Sequence, residues 1–360
     1  MAPAGVALTR NSRASSGRQD WRIECRVLQS GAGMERREFL GLLGGAAIAQ
    51  PLAARAQPSA MPAIGFLSSR SAGDSTRMMD GFHKGLAEAG LVEGESVTVT
   101  YRWAEGHYDR LPALAAELVG SPIAVLVAVG GEPTARAVVA AGTKRPVVTV
   151  FASDPVRSGQ IDSLSHPGHN VTGVSILSAS IEAKRIGLMH DLLPQAAAFG
   201  ALLNPKTPTF AEQLADIRSA AHALGIDIKP FEAPGDQELE TAFAAVEAQQ
   251  MAALLVSADP LLLIRRARIV ALAEKSRVPV MYPYRDFPDA GGLMSYGIDL
   301  ADACRQMAVY AGRIIKVARP DDLPVAEPTK FEFVINLKAA KRFGLAIAPG
   351  LLAIADEVIE

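Results

Sequence analysis

Ile123-Ala124-Val125-Leu126-Val127-Ala128-Val129-Gly130-Gly131-Glu132-Pro133-Thr134 runs from an uncharged apolar stretch through two glycines into a helix start. A valine-rich run of this length fits a strand buried on both faces better than one face of a half-exposed sheet. Gly130-Gly131 turns the chain, and Pro133 suits the first turn of a helix, where its missing N–H would have no partner anyway. A buried strand passing straight into a helix opens a βαβ crossover, which lays the next strand parallel to the first.

The same alternation continues on both sides of this stretch. Ala63–Ser68 is an apolar run, followed by Met78, Phe82 and Leu86 on one helical stripe that stops at Gly90. Val97–Trp103 alternates as a strand, Asp109 opens a helix closed by Gly120, and Val147–Phe151 and Val171–Val174 are further strands. The pattern then starts over with a helix from Ser180 to Leu193, strand Phe199–Leu203, and a helix striped by Phe210, Leu214, Ile217 and Leu224. Strand Ile226–Phe231, a helix after Asp236, strand Ala253–Val256, one helix from Leu261 to Lys275, and strands Val278–Met281 and Leu293–Tyr296 come next. Asp299–Val317 reads as a helix and Phe331–Asn336 as a returning strand. These two series predict an α/β fold of two doubly wound parallel-sheet lobes. The expected division is 61–173 with 297–325 for the first lobe and 174–296 with 326–360 for the second. Several segments then join the lobes, which makes a hinge.

The chain has 360 residues, 49% hydrophobic and 21% charged, with a net charge of −2. That length allows two domains, and the composition is that of a globular protein rather than a disordered one. No apolar run reaches the roughly 18 residues that cross a bilayer as a helix. Residues 1–56 hold eight arginines against Asp20, Glu24, Glu35 and Glu38, a local +4 that leaves −6 for residues 57–360. An acidic body is a poor footprint for nucleic acid, so none is expected as a partner. Cys25 and Cys304 are the two cysteines and offer neither a disulfide framework nor a metal cluster. No metal site and no cofactor are expected.

Residues 34–56 read as an export signal: Arg36-Arg37 before Phe39-Leu40, an apolar stretch to Ala49, and the cleavage box Ala54-Arg55-Ala56. The paired Arg36 and Arg37 have a twin-arginine look, while Ala54 and Ala56 supply the small residues that the box needs. The expectation is cleavage near Ala56 and a periplasmic protein, with residues 1–33 a start assigned too early and no part of the fold. No cysteine stands near Ala56, so no lipid anchor is expected.

In open parallel sheets ligands bind beyond the carboxyl ends of the strands. The loops there carry the candidate ligand-binding residues Ser68, Ser69, Thr134, Asp154, Asn204, Asp259, Tyr282 and Tyr296. The helix start at Pro133-Thr134 can offer backbone N–H groups to a carboxylate. Asp154 and Asp259, each before a proline and at matching places in the two halves, either answer an ammonium or only shape turns. Tyr282, Tyr284 and Tyr296 offer rings for stacking, or else pack in the core. Gly-x-Gly-x-x-Gly after a strand, Gly-x-Ser-x-Gly and the Walker A pattern are all absent. The alternative to a binding protein is an exported small-molecule enzyme working with Asp154, Asp259 or Arg285. A LacI-like regulator would need a helix-turn-helix that residues 1–60 do not supply.

Gly65-Phe66-Leu67-Ser68-Ser69, Gly94 to Arg102 with Tyr108-Asp109-Arg110-Leu111, Asp154-Pro155-Val156, Asn170 to Ser175, Leu293 to Gly297 and Lys330 to Asn336 closely resemble the ABC transporter substrate-binding proteins, a family with tryptophan-binding members. The likeness runs from about Met61 to the C-terminus. It implies a type I periplasmic-binding fold with a three-segment hinge that closes on a small solute. It implies further a monomer that catalyses nothing, docks to an ABC permease in the inner membrane, and feeds an importer with an aromatic amino acid or similar zwitterion.

Overall fold

Val125–Val129 (β3) lies in the middle of a sheet with every residue buried. This computed structural model describes residues 61–176, 178–328 and 330–360. Ala63–Ser68 (β1) and Val147–Phe151 (β4) flank β3 in parallel. Thr98–Trp103 (β2) and Val171–Ser175 (β5) complete the order β2-β1-β3-β4-β5. β4 is as fully buried as β3, whereas β2, at an edge, is nowhere buried. Helices therefore cover both faces of the central strands. Phe66, Phe82, Val127 and Met307 pack on one face, and Leu67, Leu111, Leu126 and Phe151 on the other.

The second sheet comprises Ala198–Leu203 (β6), Asp227–Glu232 (β7), Leu254–Val256 (β8), Val280–Tyr282 (β9), Met294–Ile298 (β10), Phe331–Asn336 (β11) and Glu357–Ile359 (β12). Its order is β12-β11-β10-β9-β8-β6-β7. All neighbours are parallel except β10 and β11. The chain path explains that exception. β10 ends facing the first sheet, the chain makes an excursion there, and β11 enters from that same side and so runs back.

Three connections cross between the sheets: β5 to the helix Ser178–Leu192, β10 to the helix Leu300–Lys316, and the stretch leading into β11. The first and third lie side by side. Ser175 N–H donates to the Ala326 carbonyl at 2.8 Å, and Ala326 N–H to the Gly173 carbonyl at 2.9 Å. Gly173 has φ +155°, and a side chain there would collide with the Thr149 carbonyl, so this crossing admits only glycine. The helix Leu300–Lys316 packs against Thr76–Glu88 of the first lobe, where Gly81 and Gly85 let the Ala301 and Arg305 carbonyls approach closely.

The expected single helix Leu261–Lys275 is two, Pro260–Ile264 and Arg266–Lys275. Arg265 leaves helical geometry between them at ψ 12°, and its guanidinium reaches Asp236 at 2.9 Å. The strand expected to end at Tyr296 runs on to Ile298. The C-terminal segment adds helices Leu337–Phe343 and Pro349–Ala353 before the three-residue β12, elements to which the sequence pattern gave no bounds. The export signal at 34–56 and residues 1–33 lie outside the described residues. Among the described residues, no helix is long and apolar enough to cross a membrane, and no group of three or more metal-ligating side chains gathers.

Candidate ligand-binding site

The carboxyl ends of both sets of parallel strands converge on a cavity of about 790 Å³, its mouth included. The first lobe contributes Arg70 after β1, Gly130 to Pro133 after β3, Ala152 after β4 and Ile176 after β5. The second contributes Thr207 and Thr209 after β6, Ala258 and Pro260 after β8, and Tyr284 after β9, while Leu300, Ala303 and Cys304 close it from the crossing helix. Most of this wall is apolar, so the few polar groups in it decide what it can hold.

Arg70 is 2% exposed. Its Nη2 donates to the Asp74 carbonyl and lies 3.8 Å from Asp286 Oδ1, Nη1 is 3.9 Å from Met78 Sδ, and Nε has no partner. Burial pushes its pKa down, against the opposing pull of Asp286. Glu132, 1% exposed, accepts at Oε1 from Arg136 Nε (2.9 Å) and Gln160 Nε2 (3.3 Å), while its Oε2 is unpartnered. A buried polar atom without a partner costs on the order of 1 to 3 kcal/mol. Two such atoms of opposite charge, on residues lining one cavity, are the strongest chemical feature of the cleft. Burial also pushes the Tyr284 hydroxyl up to about 12 and the Cys304 thiol up to about 12, so both face the cavity as neutral groups.

The residues expected from sequence are scattered. Ser68 and Ser69 are buried but bond within the wall: Ser69 Oγ donates to the Gly130 carbonyl at 2.6 Å, and Ser68 Oγ accepts from Arg70 N–H at 3.1 Å. They fix the loops that carry Arg70 and Gly130. Thr134 is buried one residue beyond the lining, with its hydroxyl unpartnered. Its N–H already donates to Gly131, and Pro133 has none, so the helix start offers fewer donors than expected.

Asp154 is exposed, and its Oδ1 accepts from the N–H groups of Val156 (3.0 Å) and Arg157 (3.1 Å), closing its own turn. That geometry removes it from the cavity. Asp259 and Asn204 do come together, at 3.1 Å, but away from the lining. Asp259, 1% exposed, caps the helix Pro260–Ile264 by accepting from Leu261 and Leu262 N–H, and it accepts from the Tyr108 hydroxyl of the first lobe at 3.2 Å. With its acceptors engaged it is a latch between the lobes rather than a seat for an ammonium.

Of the three tyrosines, Tyr284 alone lines the cavity. Tyr282 is 1% exposed and stacks on Phe287 at 4.5 Å inside the second core. Tyr296 packs between Phe331 and Phe333. Tyr282 is the last residue of β9 and packs with the strand's core face, whereas Tyr284 lies two residues beyond the strand end, where no pleat fixes its direction. Arg285 is tied to Asp289, Glu332 and Glu357, so the enzyme alternative loses its residues. Sequence alone did not single out Arg70 and Glu132. Their signal was a charge in the short loop after a mainly apolar strand, Arg70 after β1 and Glu132 after β3.

The family model described as ABC transporter substrate binding protein matches residues 68–359. A tyrosine-binding protein of Clostridioides difficile is 23% identical over 256 residues, 71% of this chain and 73% of that protein. Among solved structures, a conserved domain protein from Vibrio cholerae O1 biovar eltor superposes with TM-score 0.77 at 24% identity, covering 83% of this chain and 99% of that one. An ABC domain from Streptococcus pneumoniae in complex with L-Trp gives 0.75 at 24% identity with the same coverage. The family is one of substrate-binding proteins rather than enzymes.

Proposed function

Since the chain belongs to the ABC transporter substrate-binding protein family, we propose that it binds an amino acid, preferably aromatic, between its lobes and delivers it to an inner-membrane permease for import. One observation carries the ligand class: Arg70 Nε and Glu132 Oε2 are buried, unpartnered and opposite in charge on residues that line one apolar cavity. A zwitterion satisfies both, its carboxylate at Arg70 and its ammonium at Glu132, while its side chain takes the apolar wall. A relative named for tyrosine and a fold neighbour holding L-Trp support that class.

Calorimetric titration with the L-amino acids, and with tyramine and 3-phenylpropionate as controls lacking one charge, tests the proposal. Arg70→Met should weaken amino-acid binding by about 1.5 to 3 kcal/mol, the range for a hydrogen bond to a charged group. Binding of the singly charged controls as tightly as the amino acids would overturn the zwitterion. The lobes are proposed to close about the three crossings, near Gly173, Gly297 and Pro324 to Pro328. Small-angle scattering should show compaction on saturation. The protein is proposed to act as a monomer in the periplasm, beginning near Gln57 after cleavage of the 34–56 signal. N-terminal sequencing of protein purified from the periplasmic fraction checks this, and an intact Met34 in a cytoplasmic fraction would contradict it.

A further inference from the structure

Glu182 stands near the start of the helix Ser178–Leu192, just after the chain leaves β5 for the second lobe. It is 1% exposed, and its Oε1 accepts from Arg185 Nη1 at 2.6 Å. Arg185 is held in turn by the carbonyls of Tyr296 (2.7 Å from Nε) and Pro283 (3.4 Å from Nη2). Glu182 Oε2 has no partner among the described residues. Arg185 neutralises the charge of the carboxylate but leaves that oxygen without a donor, and buried acceptors in folded proteins are nearly always satisfied.

The place of this oxygen suggests what satisfies it. Glu182 and Arg185 border a small void that shares Ile176, Ala258, Tyr284 and Ile298 with the main cavity. Ile176 and Ile298 sit where two of the crossings leave their sheets, so the void continues the cavity toward the hinge. Arg70 and Glu132 follow β1 and β3, away from the β5 edge. A ligand anchored there by its charged end would send its side chain toward Glu182. The walls on the way are the apolar Ile176 and Ile298 and the Tyr284 ring.

Resting on the amino-acid reading of the cleft, we infer that the void at Glu182 is the subsite for the far end of the ligand's side chain, where Oε2 accepts a hydrogen bond from a ring-borne donor, a phenol hydroxyl or an indole N–H. A second full cation suits the subsite poorly because Arg185, itself buried, already balances the carboxylate, whereas the Arg136 that pairs with Glu132 is half exposed and screened by solvent. A bare ring suits it poorly because it leaves Oε2 unpaired. Sites built to hydrogen-bond a substrate hydroxyl reject the analogue that lacks it.

L-Tyrosine and L-phenylalanine differ by that hydroxyl alone, and calorimetric titration of the full protein with each reads the subsite directly. Wild type should bind L-tyrosine at least about tenfold tighter than L-phenylalanine, as expected for one hydrogen bond to a charged acceptor. In Glu182→Gln the side chain keeps its bond to Arg185 through Oε1 and presents an NH2 where the acceptor was. The ratio should then fall to within about twofold. A wild-type ratio near one overturns the subsite without any variant, and an unchanged ratio in a folded Glu182→Gln protein overturns the role of Glu182. If no L-amino acid binds, the parent reading fails and the subsite with it. If amino acids bind without regard to a ring donor, the subsite fails alone.

Discussion

Asp154-Pro155 and Asp259-Pro260 come after parallel strands of the two sheets, β4 and β8, yet the two aspartates occupy opposite environments. Asp154 faces solvent and closes a local turn with the N–H groups of Val156 and Arg157. Asp259 is buried, caps a helix, holds Asn204 and takes a hydroxyl from the other lobe. The chain beyond each proline makes the difference. After Pro155 it turns through Ser158 and Gly159, whereas Pro260 begins a helix whose first N–H groups need an acceptor. An Asp-Pro pair at the end of a strand thus specifies a local acceptor. Whether that acceptor also joins the lobes depends on the residue that stands opposite, and only Asp259 has Tyr108 there.

The contrast is open to direct attack. The largest effect is expected for Asp259→Ala, which removes a helix cap and strands the Tyr108 hydroxyl and the Asn204 amide. A cap is worth about 0.5 to 2 kcal/mol and each hydrogen bond to a charged group about 1.5 to 3, not fully additive, so a loss of about 3 kcal/mol in urea unfolding is expected. A loss below about 1 kcal/mol would mean that the buried aspartate is no more important than the exposed one.

Tyr108→Phe removes the cross-lobe hydroxyl alone and leaves the cap. Stability should fall by about 1 kcal/mol, and the compaction on ligand binding should weaken with it. Retained stability together with unchanged compaction would show that Asp259 serves its own helix only.

A smaller effect, dependent on pH, is expected at another bridge between the lobes, Asp74 with Arg266 at 2.9 Å. Burial works to raise the Asp74 pKa, but hydrogen bonds from Ser71 and Arg266 and the charges of Arg266 and Arg70 outweigh it and hold it below 3.8. A carboxylate depressed in the folded state adds stability that is present above its unfolded value and is lost as pH falls through the folded one. Asp74→Asn should therefore melt below wild type at pH 6 and converge with it as pH drops below 3.8. A gap independent of pH would assign the loss to packing.

The smallest effect is expected for Asp154→Ala, within about 0.5 kcal/mol in stability and without change in amino-acid affinity. A clear loss of affinity would return Asp154 to the cleft.

Much of the fold was legible because its central strands are apolar except for Thr149. Val125–Val129 and Val147–Phe151 can satisfy their side chains only between two helical layers, and the glycines and prolines at their ends mark the turns. The short C-terminal elements were not legible, since a three-residue strand such as β12 carries no periodicity. The break at Arg265 was hidden because Leu261 to Lys275 keeps helical spacing through it. In the cleft the sequence pointed to the right loops, but the cavity is lined by Arg70 rather than Ser68 and Ser69, by Glu132 rather than Thr134, and, of the three candidate tyrosines, by Tyr284. A preference for hydroxyls and aspartates overlooked the charge that each loop buries.

The sequence by itself determined the two α/β lobes and the loops that meet between them, because buried strands, helix stripes and turn residues are local patterns, and its motifs carried the resemblance to the family. Only the tertiary structure decided which side chains of those loops face the cleft. Facing depends on where each strand ends and on the groups that the opposite lobe presents. Tyr282 and Tyr284 show the first dependence, two residues apart across the end of β9. Asp154 and Asp259 show the second: a carboxylate stays in water unless donors from elsewhere in the chain make up for its desolvation, and Tyr108 and Asn204 come within reach of Asp259 only when the chain has folded.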